Sequence, residues 1–136
     1  MIYQDDLYNE PKGNGETILI IDDEPSFVEI TKILLTHSGY TILTAKNGIE
    51  GIERFKNNIQ SVKVIVCDLN MPKMGGNSAV QTFLSLNPDI KILIISGSIE
   101  EDKIPKYLEP GKIEFLHKPF MTETLLQILA RLLGKK

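Results

Sequence analysis

The sequence predicts a doubly wound α/β domain, in which a parallel β-sheet lies between two layers of helices. Short aliphatic runs alternate along the chain with stretches whose apolar residues recur at helical spacing, and this alternation indicates βαβ units. Most of the runs are continuously apolar, which is typical of strands buried on both faces. Right-handed crossovers then place helices on both sides of the sheet. We expect the strand order 2-1-3-4-5, with strands at residues 17–21, 40–44, 62–67, 90–95 and 113–117.

The composition is that of one globular domain. The chain has 136 residues, 42% of them apolar and 24% charged, which suffices for a core without disulfides or metal staples. A net charge of −3 gives no electrostatic basis for binding nucleic acid directly. A single cysteine excludes an internal disulfide framework. We find no signal-peptide layout and no apolar run near the roughly 20 residues that span a bilayer, so we expect a cytoplasmic domain without membrane contact.

The first half of the chain contains a tail, two strands and two helices. Residues 1–15 are polar and lack periodicity, so they are predicted to be a flexible tail or linker before a domain at 16–134. Pro25 suits the first turn of a helix, and that helix should end near Gly39. Its apolar residues share one face: Phe27, Ile30, Ile33 and Leu34. Asn47, with Glu50 three residues on, predicts the capped start of the second helix.

The second half is regular except for one segment. Asn77 is predicted to cap the third helix, and Thr122 opens the last one. Between strands four and five, Ser98 could start a helix, but Pro105 should end or kink it. We therefore expect a short or displaced helix there, rather than a continuous one from residue 99 to 108.

Polar side chains stand where the predicted strands end. Asp22 and Asp23 follow the first strand, Asp68 ends the third, Ser96 the fourth and Lys118 the fifth. Ligands of doubly wound sheets bind outside the carboxyl ends of the strands. Because the first and third strands should be neighbours, the three aspartates should converge within a few ångström. The sequence thus predicts one site at this edge.

The residue types at that edge favour phosphoryl transfer. Three ionised carboxylates repel one another unless a cation is present, and hard oxygen ligands suit Mg²⁺ better than a transition metal. The hydroxyl of Ser96 and the ammonium of Lys118 can bind the oxygens of a phosphoryl group. A carboxylate can act as nucleophile by forming an aspartyl phosphate. Asp68 stands alone on its strand and fits that role, whereas the Asp22–Asp23 pair is better suited to hold the metal.

These motifs resemble those of response-regulator receiver domains, the CheY-like superfamily. The resemblance covers about residues 16–134, and four segments carry it in the correct order: 21–25 (IDDEP), 68–76 (DLNMPKMGG), 95–97 (ISG) and 118–120 (KPF). It implies a (βα)5 flavodoxin-like three-layer sandwich. It also implies a phosphoacceptor of a two-component His-to-Asp phosphorelay, which catalyses only its own phosphorylation and dephosphorylation and is otherwise not an enzyme.

The resemblance also implies a role for each site residue. Asp68 would be the phosphoacceptor, and Mg²⁺ would be held by Asp22, Asp23, Asp68 and the main-chain carbonyl of Asn70. Ser96 and Lys118 would bind the phosphoryl group. Phe115 occupies the position of the aromatic switch residue, and the bond before Pro119 would be cis.

The implied partner is a histidine kinase or a histidine phosphotransfer domain. A homodimer would form through the face made by the segment around residues 98–108, the fifth strand and the last helix. Departures from the usual pattern are Gly75, where Asp or Asn is usual, Gly97 in place of Ala, and the lack of a hydroxyl on Phe115.

Three alternatives remain open. The chain could be a receiver module excised from a hybrid sensor histidine kinase, in which it would be the C-terminal domain, rather than a stand-alone regulator. It could be a pseudo-receiver that binds a partner without phosphorylation, although the intact set of acids and lysine argues against this. Finally, it could be an aspartate-nucleophile phosphatase. Those enzymes usually carry a second aspartate two residues after the nucleophile, where this chain has Asn70.

Overall fold

Five parallel strands form a single sheet. The computed structural model describes residues 11–71, 74–97 and 104–135, and within them the strand order is β2-β1-β3-β4-β5. This order confirms the predicted fold class. The strands are β1 (Thr17–Ile21), β2 (Thr41–Ala45), β3 (Val62–Asp68), β4 (Lys91–Ser96) and β5 (Ile113–His117).

Helices cover both faces of the sheet. In the described residues they are α1 (Pro25–His37), α2 (Gly48–Asn57), α3 (Gly76–Leu86) and α4 (Thr122–Leu132). Alternate residues of each strand point to opposite faces, so Leu19 and Ile21 pack with α2 and α3, whereas Ile18 and Ile20 pack with α1 and α4. All four side chains are fully buried, and each contributes roughly 1.5–3 kcal/mol to folding. The three-layer arrangement follows from strands that are apolar on both faces.

The start of α2 confirms a predicted cap, and the start of α3 corrects one. The backbone N–H of Glu50 donates to Asn47 Oδ1 at 2.8 Å. Asn77, by contrast, does not cap α3, which begins at Gly76 with Gly75 before it. The backbone N–H of Gly76 donates to Leu69 O at 2.9 Å, and this close approach to the loop after β3 fixes where the helix begins. Asn77 Oδ1 instead accepts a hydrogen bond from the Tyr107 hydroxyl.

Most of the apolar stripe of α1 faces solvent, although Phe27 is partly buried against the core on the α1–α4 face. Ile30 and Ile33 are 59% and 60% exposed, while the buried residues of the helix are Thr31 and Leu35. These two lie four residues apart and therefore share one face. Packing through them turns the stripe toward solvent.

The segment that contains Pro105 is not helical where it is described. Residues 104–108 form bends and turns, which excludes a continuous helix from residue 99 to 108, as predicted. Tyr107 and Leu108 pack against the core on the α2–α3 face. The predicted helix start at Ser98 lies outside the described residues.

The segment before β1 contacts the turn after α1. The backbone N–H groups of Gly13 and Gly15 donate to Ser38 O and Gly39 O, both at 2.7 Å. Gly39 has a φ of +98°, and a Cβ there would meet Gly13 O at 2.5 Å. Lys135, just after α4, joins the same cluster. Its Nζ lies 2.6 Å from Glu16 Oε2 and 3.0 Å from Lys12 O. Both ends of the described chain therefore meet at the edge where the strands begin.

Membrane-spanning helices are absent from the described part of the chain, because none of its helices is both long and apolar enough to cross a bilayer.

Candidate metal centre

The three aspartates converge at the carboxyl edge of the sheet, as predicted. Asp22 and Asp23 follow β1, and Asp68 ends the adjacent strand β3. Each residue offers a carboxylate oxygen, and these oxygens all lie within 4.8 Å of one another. Asp22 and Asp68 are only 2% and 8% exposed, whereas Asp23 faces solvent. One face of the cluster is thus buried and the other is open to small ions.

Burial, and then the neighbouring carboxylates, disfavour the charged form of Asp68. Burial raises its pKa most, a hydrogen bond from the backbone N–H of Asn70 lowers it, and the charges of Asp22 and Asp23 raise it further, so that it reaches about 6 from an ordinary 3.8. The charge of Lys118 offsets part of this rise. A cation near the carboxylates would favour the ionised form.

The donor set fits a hard divalent cation. All three members of the cluster are carboxylates, and carboxylate oxygens are the ligands that Mg²⁺ prefers over the nitrogen and sulfur donors of transition-metal sites. Burial raises the pKa of Asp68 most, the charges of Asp22 and Asp23 add to this rise, and a bound cation would offset both effects. Asp22, Asp23 and Asp68 could therefore hold Mg²⁺.

Lys118 reaches the cluster from the end of β5. Its backbone N–H donates to Ser96 O at 2.8 Å, and its bond to Pro119 is cis. Its Nζ lies 2.9 Å from Asp22 Oδ2 and 3.4 Å from Glu24 Oε2. Burial lowers the pKa of Lys118, but the hydrogen bond and charge of Asp22 outweigh this, and the net shift is upward. Among the described residues, the ion pairs of Lys118 are with these two acids and not with Asp68.

Asn70 links Asp68 to Ser96 through its backbone N–H and its side-chain amide. Its backbone N–H donates to Asp68 Oδ1 at 3.1 Å, and its Nδ2 donates to the hydroxyl of Ser96 at 3.2 Å. Ser96 is 1% exposed. Sequence reasoning considered the main-chain carbonyl of Asn70 and missed this amide. No local sequence signal indicates this bond, because its partners lie 26 residues apart on different elements.

Two further neighbours of the site have different surroundings. Phe115 packs, half-buried, against the core on the α2–α3 face, and its ring meets that of His117 edge-on at 4.8 Å. Its role as a switch stays a prediction. Cys67 is fully buried beside Asp68, and burial raises the pKa of its thiol, so that it contributes packing rather than chemistry.

Sequence reasoning also missed two partners of Lys118. Glu24 pairs with its ammonium, and the ring centroid of Phe27 lies 4.0 Å from its Nζ. Glu24 directly follows the acid pair, and Phe27 belongs to the first turn of α1. Both are therefore placed near the site by the same turn that places Asp22, although only Glu24 lies within the 21–25 motif and the sequence analysis gave it no role.

Comparison with known proteins gives consistent similarities. Residues 18–130 match the family described as response regulator receiver domain. Chemotaxis protein CheY of Treponema pallidum is 30% identical over 125 residues, which are 91% of this chain and 87% of that protein. Sensor kinase CckA of Brucella abortus is 29% identical over 91% of this chain but only 13% of its own length. A receiver domain protein structure from Clostridium thermocellum superposes with a TM-score of 0.81 at 29% identity, covering 87% of this chain and 94% of that one.

Proposed function

The chain belongs to the response regulator receiver domain family, and from this membership we propose that it is a phosphoacceptor switched by Mg²⁺-dependent transfer of a phosphoryl group from histidine to Asp68. Receiver domains are signalling components of two-component systems and generally not enzymes with a separate substrate. The observation that carries the proposal is the cluster of Asp22, Asp23 and Asp68 with the Lys118 ammonium 2.9 Å from one of its members.

Phosphoryl transfer would use the residues as follows. Mg²⁺, held by Asp22, Asp23, Asp68 and the main-chain carbonyl of Asn70, would supply charge neutralisation. An ionised oxygen of Asp68 forms the bond to phosphorus, the P–N bond of the donor phosphohistidine breaks, and the imidazole nitrogen keeps the electron pair. Asp68 must ionise for this step, although burial and its acidic neighbours raise its pKa.

Lys118 and Ser96 would bind the new phosphoryl group. The ammonium of Lys118 neutralises its charge, and the hydroxyl of Ser96 donates to one of its oxygens. In moving, Ser96 would give up its bond from Asn70 Nδ2 and vacate space into which Phe115 turns. The message is then a shift of population between two conformations. The same site would hydrolyse the acyl phosphate, so the domain would catalyse only its own phosphorylation and dephosphorylation.

An apolar groove beside the three aspartates is suited to bind the protein that donates the phosphoryl group. A groove of about 520 Å³ runs between α1 and the start of α4, and Ile30, Leu34, Phe120 and Lys118 contribute to its lining. We call these residues, together with the 65% exposed Met121, the α1 surface. An amphipathic helix can lay its apolar face into such a groove. Because Lys118 belongs to both groove and site, a docked helix of a histidine kinase or phosphotransfer domain would bring its histidine close to Asp68.

The similarity spans most of a CheY protein and a small part of a sensor kinase, and the phosphoacceptor function applies whether the chain acts alone or as a module excised from a hybrid kinase. We place it in the cytoplasm, where such donors act. A homodimer would use β5, α4 and the segment around residues 98–108, of which residues 98–103 lie outside the described part.

Incubation with acetyl phosphate and Mg²⁺ tests the proposal. We expect a base-labile phosphoryl adduct, detected by intact-protein mass spectrometry, that is absent in Asp68→Asn. Asp89→Asn is the matched control, because Asp89 is exposed in the turn before β4, at the opposite edge of the sheet. A long-lived adduct supports a receiver, whereas rapid turnover would indicate a phosphatase. No adduct at saturating donor and Mg²⁺ would indicate a pseudo-receiver and refute the proposal.

A further inference from the structure

Lys118 contacts three groups that all belong to the segment between β1 and the first turn of α1. They are the carboxylates of Asp22 and Glu24, at 2.9 and 3.4 Å, and the ring of Phe27, whose centroid is 4.0 Å from Nζ. A cation within about 6 Å of the centroid is attracted to the negative face of an aromatic ring. The Phe27 ring is itself oriented by Phe120, which it meets nearly perpendicularly at 6.1 Å.

The three contacts of Lys118 differ in whether they would persist once Asp68 is phosphorylated. Asp22 is also a candidate metal ligand, so its carboxylate cannot serve Lys118 and a divalent cation equally well. The side chain of Glu24 is 59% exposed, and an ion pair so open to solvent contributes little. The ring of Phe27 is neutral and has no part in metal binding. It is the contact that Lys118 can keep when its ion pair with Asp22 weakens.

We propose that Phe27 is a positioning residue for phosphoryl transfer. The face of its ring holds the Lys118 ammonium next to the cluster of Asp22, Asp23 and Asp68, and we call this contact the seat. The seat keeps the ammonium within reach of Asp68 while its ion pair with Asp22 is replaced by one with the phosphoryl group. The role of Phe27 in the rate rests on the proposed function, whereas the seat itself is a property of the unphosphorylated protein.

The rate of phosphorylation by acetyl phosphate tests this role. Phe27→Leu keeps apolar bulk but removes the ring, and a typical cation–π contribution corresponds to about a fivefold slower reaction. Phe27→Tyr should restore the rate, and Phe27→Trp should match or exceed it, because indole is the strongest cation–π partner. A packing role predicts the reverse order, since Leu would be tolerated and Trp would overpack the site. That reverse order would overturn the proposal.

Nuclear magnetic resonance of Lys118 tests the seat without phosphorylation. A ring face next to the ammonium shifts the ε-methylene protons of Lys118 upfield, and we expect this shift in wild type with and without Mg²⁺ and its loss in Phe27→Leu. Hydrogen-exchange protection of the β1 and β3 amides should stay unchanged, which excludes a general disturbance of the fold. Equal Lys118 shifts in wild type and Phe27→Leu would disprove the seat. If wild type shows the shift but takes up no phosphoryl group, the proposed function fails while the seat stands.

Discussion

Asp68 lies in surroundings that oppose its own ionisation. Its pKa reaches about 6 because it is buried and faces Asp22 and Asp23. The rise from an ordinary 3.8 corresponds to roughly 3 kcal/mol between the two protonation states. Without a cation, the protein therefore stores unfavourable electrostatic free energy at the residue proposed to accept phosphate.

This residue gives a pH-dependent stability prediction. Because the pKa of Asp68 is higher in the folded protein, its protonated form is favoured by folding, and stability falls as pH rises from about 3.8 through 6. In metal-free protein at pH 7.5, Asp68→Asn should therefore raise the free energy of unfolding by about 1–3 kcal/mol. Below pH 3.8 this gain should vanish.

Urea unfolding in the presence of a chelator measures the effect. Asp89→Asn serves as the control, since an exposed aspartate at the other edge of the sheet should give no comparable pH-dependent gain. The same stabilisation of Asp68→Asn at both pH values would show that charge is not its cause.

For individual residues, the sequence predicted where the three aspartates lie but not which side chains Lys118 and Asn70 contact. Asp22, Asp23 and Asp68 could be brought together from the sequence because strand ends and strand order suffice to place them. Glu24 and Phe27 could not be paired with Lys118, since that requires the direction of side chains on different elements. The amide bridge of Asn70 to Ser96 escaped for the same reason.

Among the elements, the start of α3 depends on a glycine. A Cβ on Gly76 would lie 2.6 Å from Leu69 Cα and 2.7 Å from Asp68 O, and backbone atoms cannot move aside as a flexible side chain can. Gly76→Ala should therefore lower the free energy of unfolding by about 1–3 kcal/mol. Gly97→Ala is the control, because a Cβ there meets nothing within 4 Å, and we expect a change within about 0.5 kcal/mol. Equal effects in thermal unfolding would contradict the close approach.

The exposed apolar residues of α1 can be tested as a docking surface. Ile30→Asp places a charge on the α1 surface and should slow phosphoryl transfer from a cognate histidine kinase or phosphotransfer domain by tenfold or more, because an unpaired charge at an interface core costs at least about 1.4 kcal/mol. Reaction with acetyl phosphate, which needs no docking, should be unchanged. Ile49→Asp, at a 55% exposed isoleucine of α2, is the matched control. Equal slowing by both variants would exclude docking on α1.

Helices show where local sequence signals succeed and where they fail. The Asn47–Glu50 cap was predictable because both partners lie within one turn. The cap at Asn77 was wrong, because the contact of Gly76 with Leu69 sets the start of α3. The stripe of α1 shows helical spacing, but spacing alone does not reveal whether an apolar face meets the core or solvent.

For the molecule as a whole, the ends of the described chain are joined by an ion pair. Lys135 Nζ and Glu16 Oε2 lie 2.6 Å apart, both side chains being 20% exposed. Burial raises the pKa of Glu16, but its hydrogen bonds and the charge of Lys135 outweigh this, and the pKa is lowered. The pair should therefore stabilise the fold above the ordinary pKa of Glu16 and lose its effect as pH falls below it.

Lys135→Met should lower the free energy of unfolding by about 0.2–1 kcal/mol at pH 7 and low salt. The loss should shrink in acid and at high salt. A double-mutant cycle with Glu16→Gln isolates the pair from the contact of Lys135 Nζ with the Tyr40 ring, whose centroid is 5.7 Å away. A coupling energy that is independent of salt would contradict an electrostatic origin.

The architecture was the most predictable property of the chain. Alternation of apolar runs with helical stripes and the right-handed crossover rule determine the sheet and its two helical layers. The predicted strand order 2-1-3-4-5, one of the common doubly wound arrangements, was confirmed. The contacts of residues 11–16 could not be predicted, since a polar, glycine-rich stretch shows no periodicity even when its backbone is hydrogen-bonded.

The meeting of Lys12 and Lys135 at the edge where the strands begin has a practical consequence. Immobilising the protein on a sensor chip through Lys12 or Lys135 would leave the three aspartates, at the opposite edge of the sheet, pointing into solution. Fluorophores attached at Lys12 and Lys135, whose backbone and side chain, respectively, meet there, would be close enough for efficient energy transfer, and loss of that signal would report separation of these two residues.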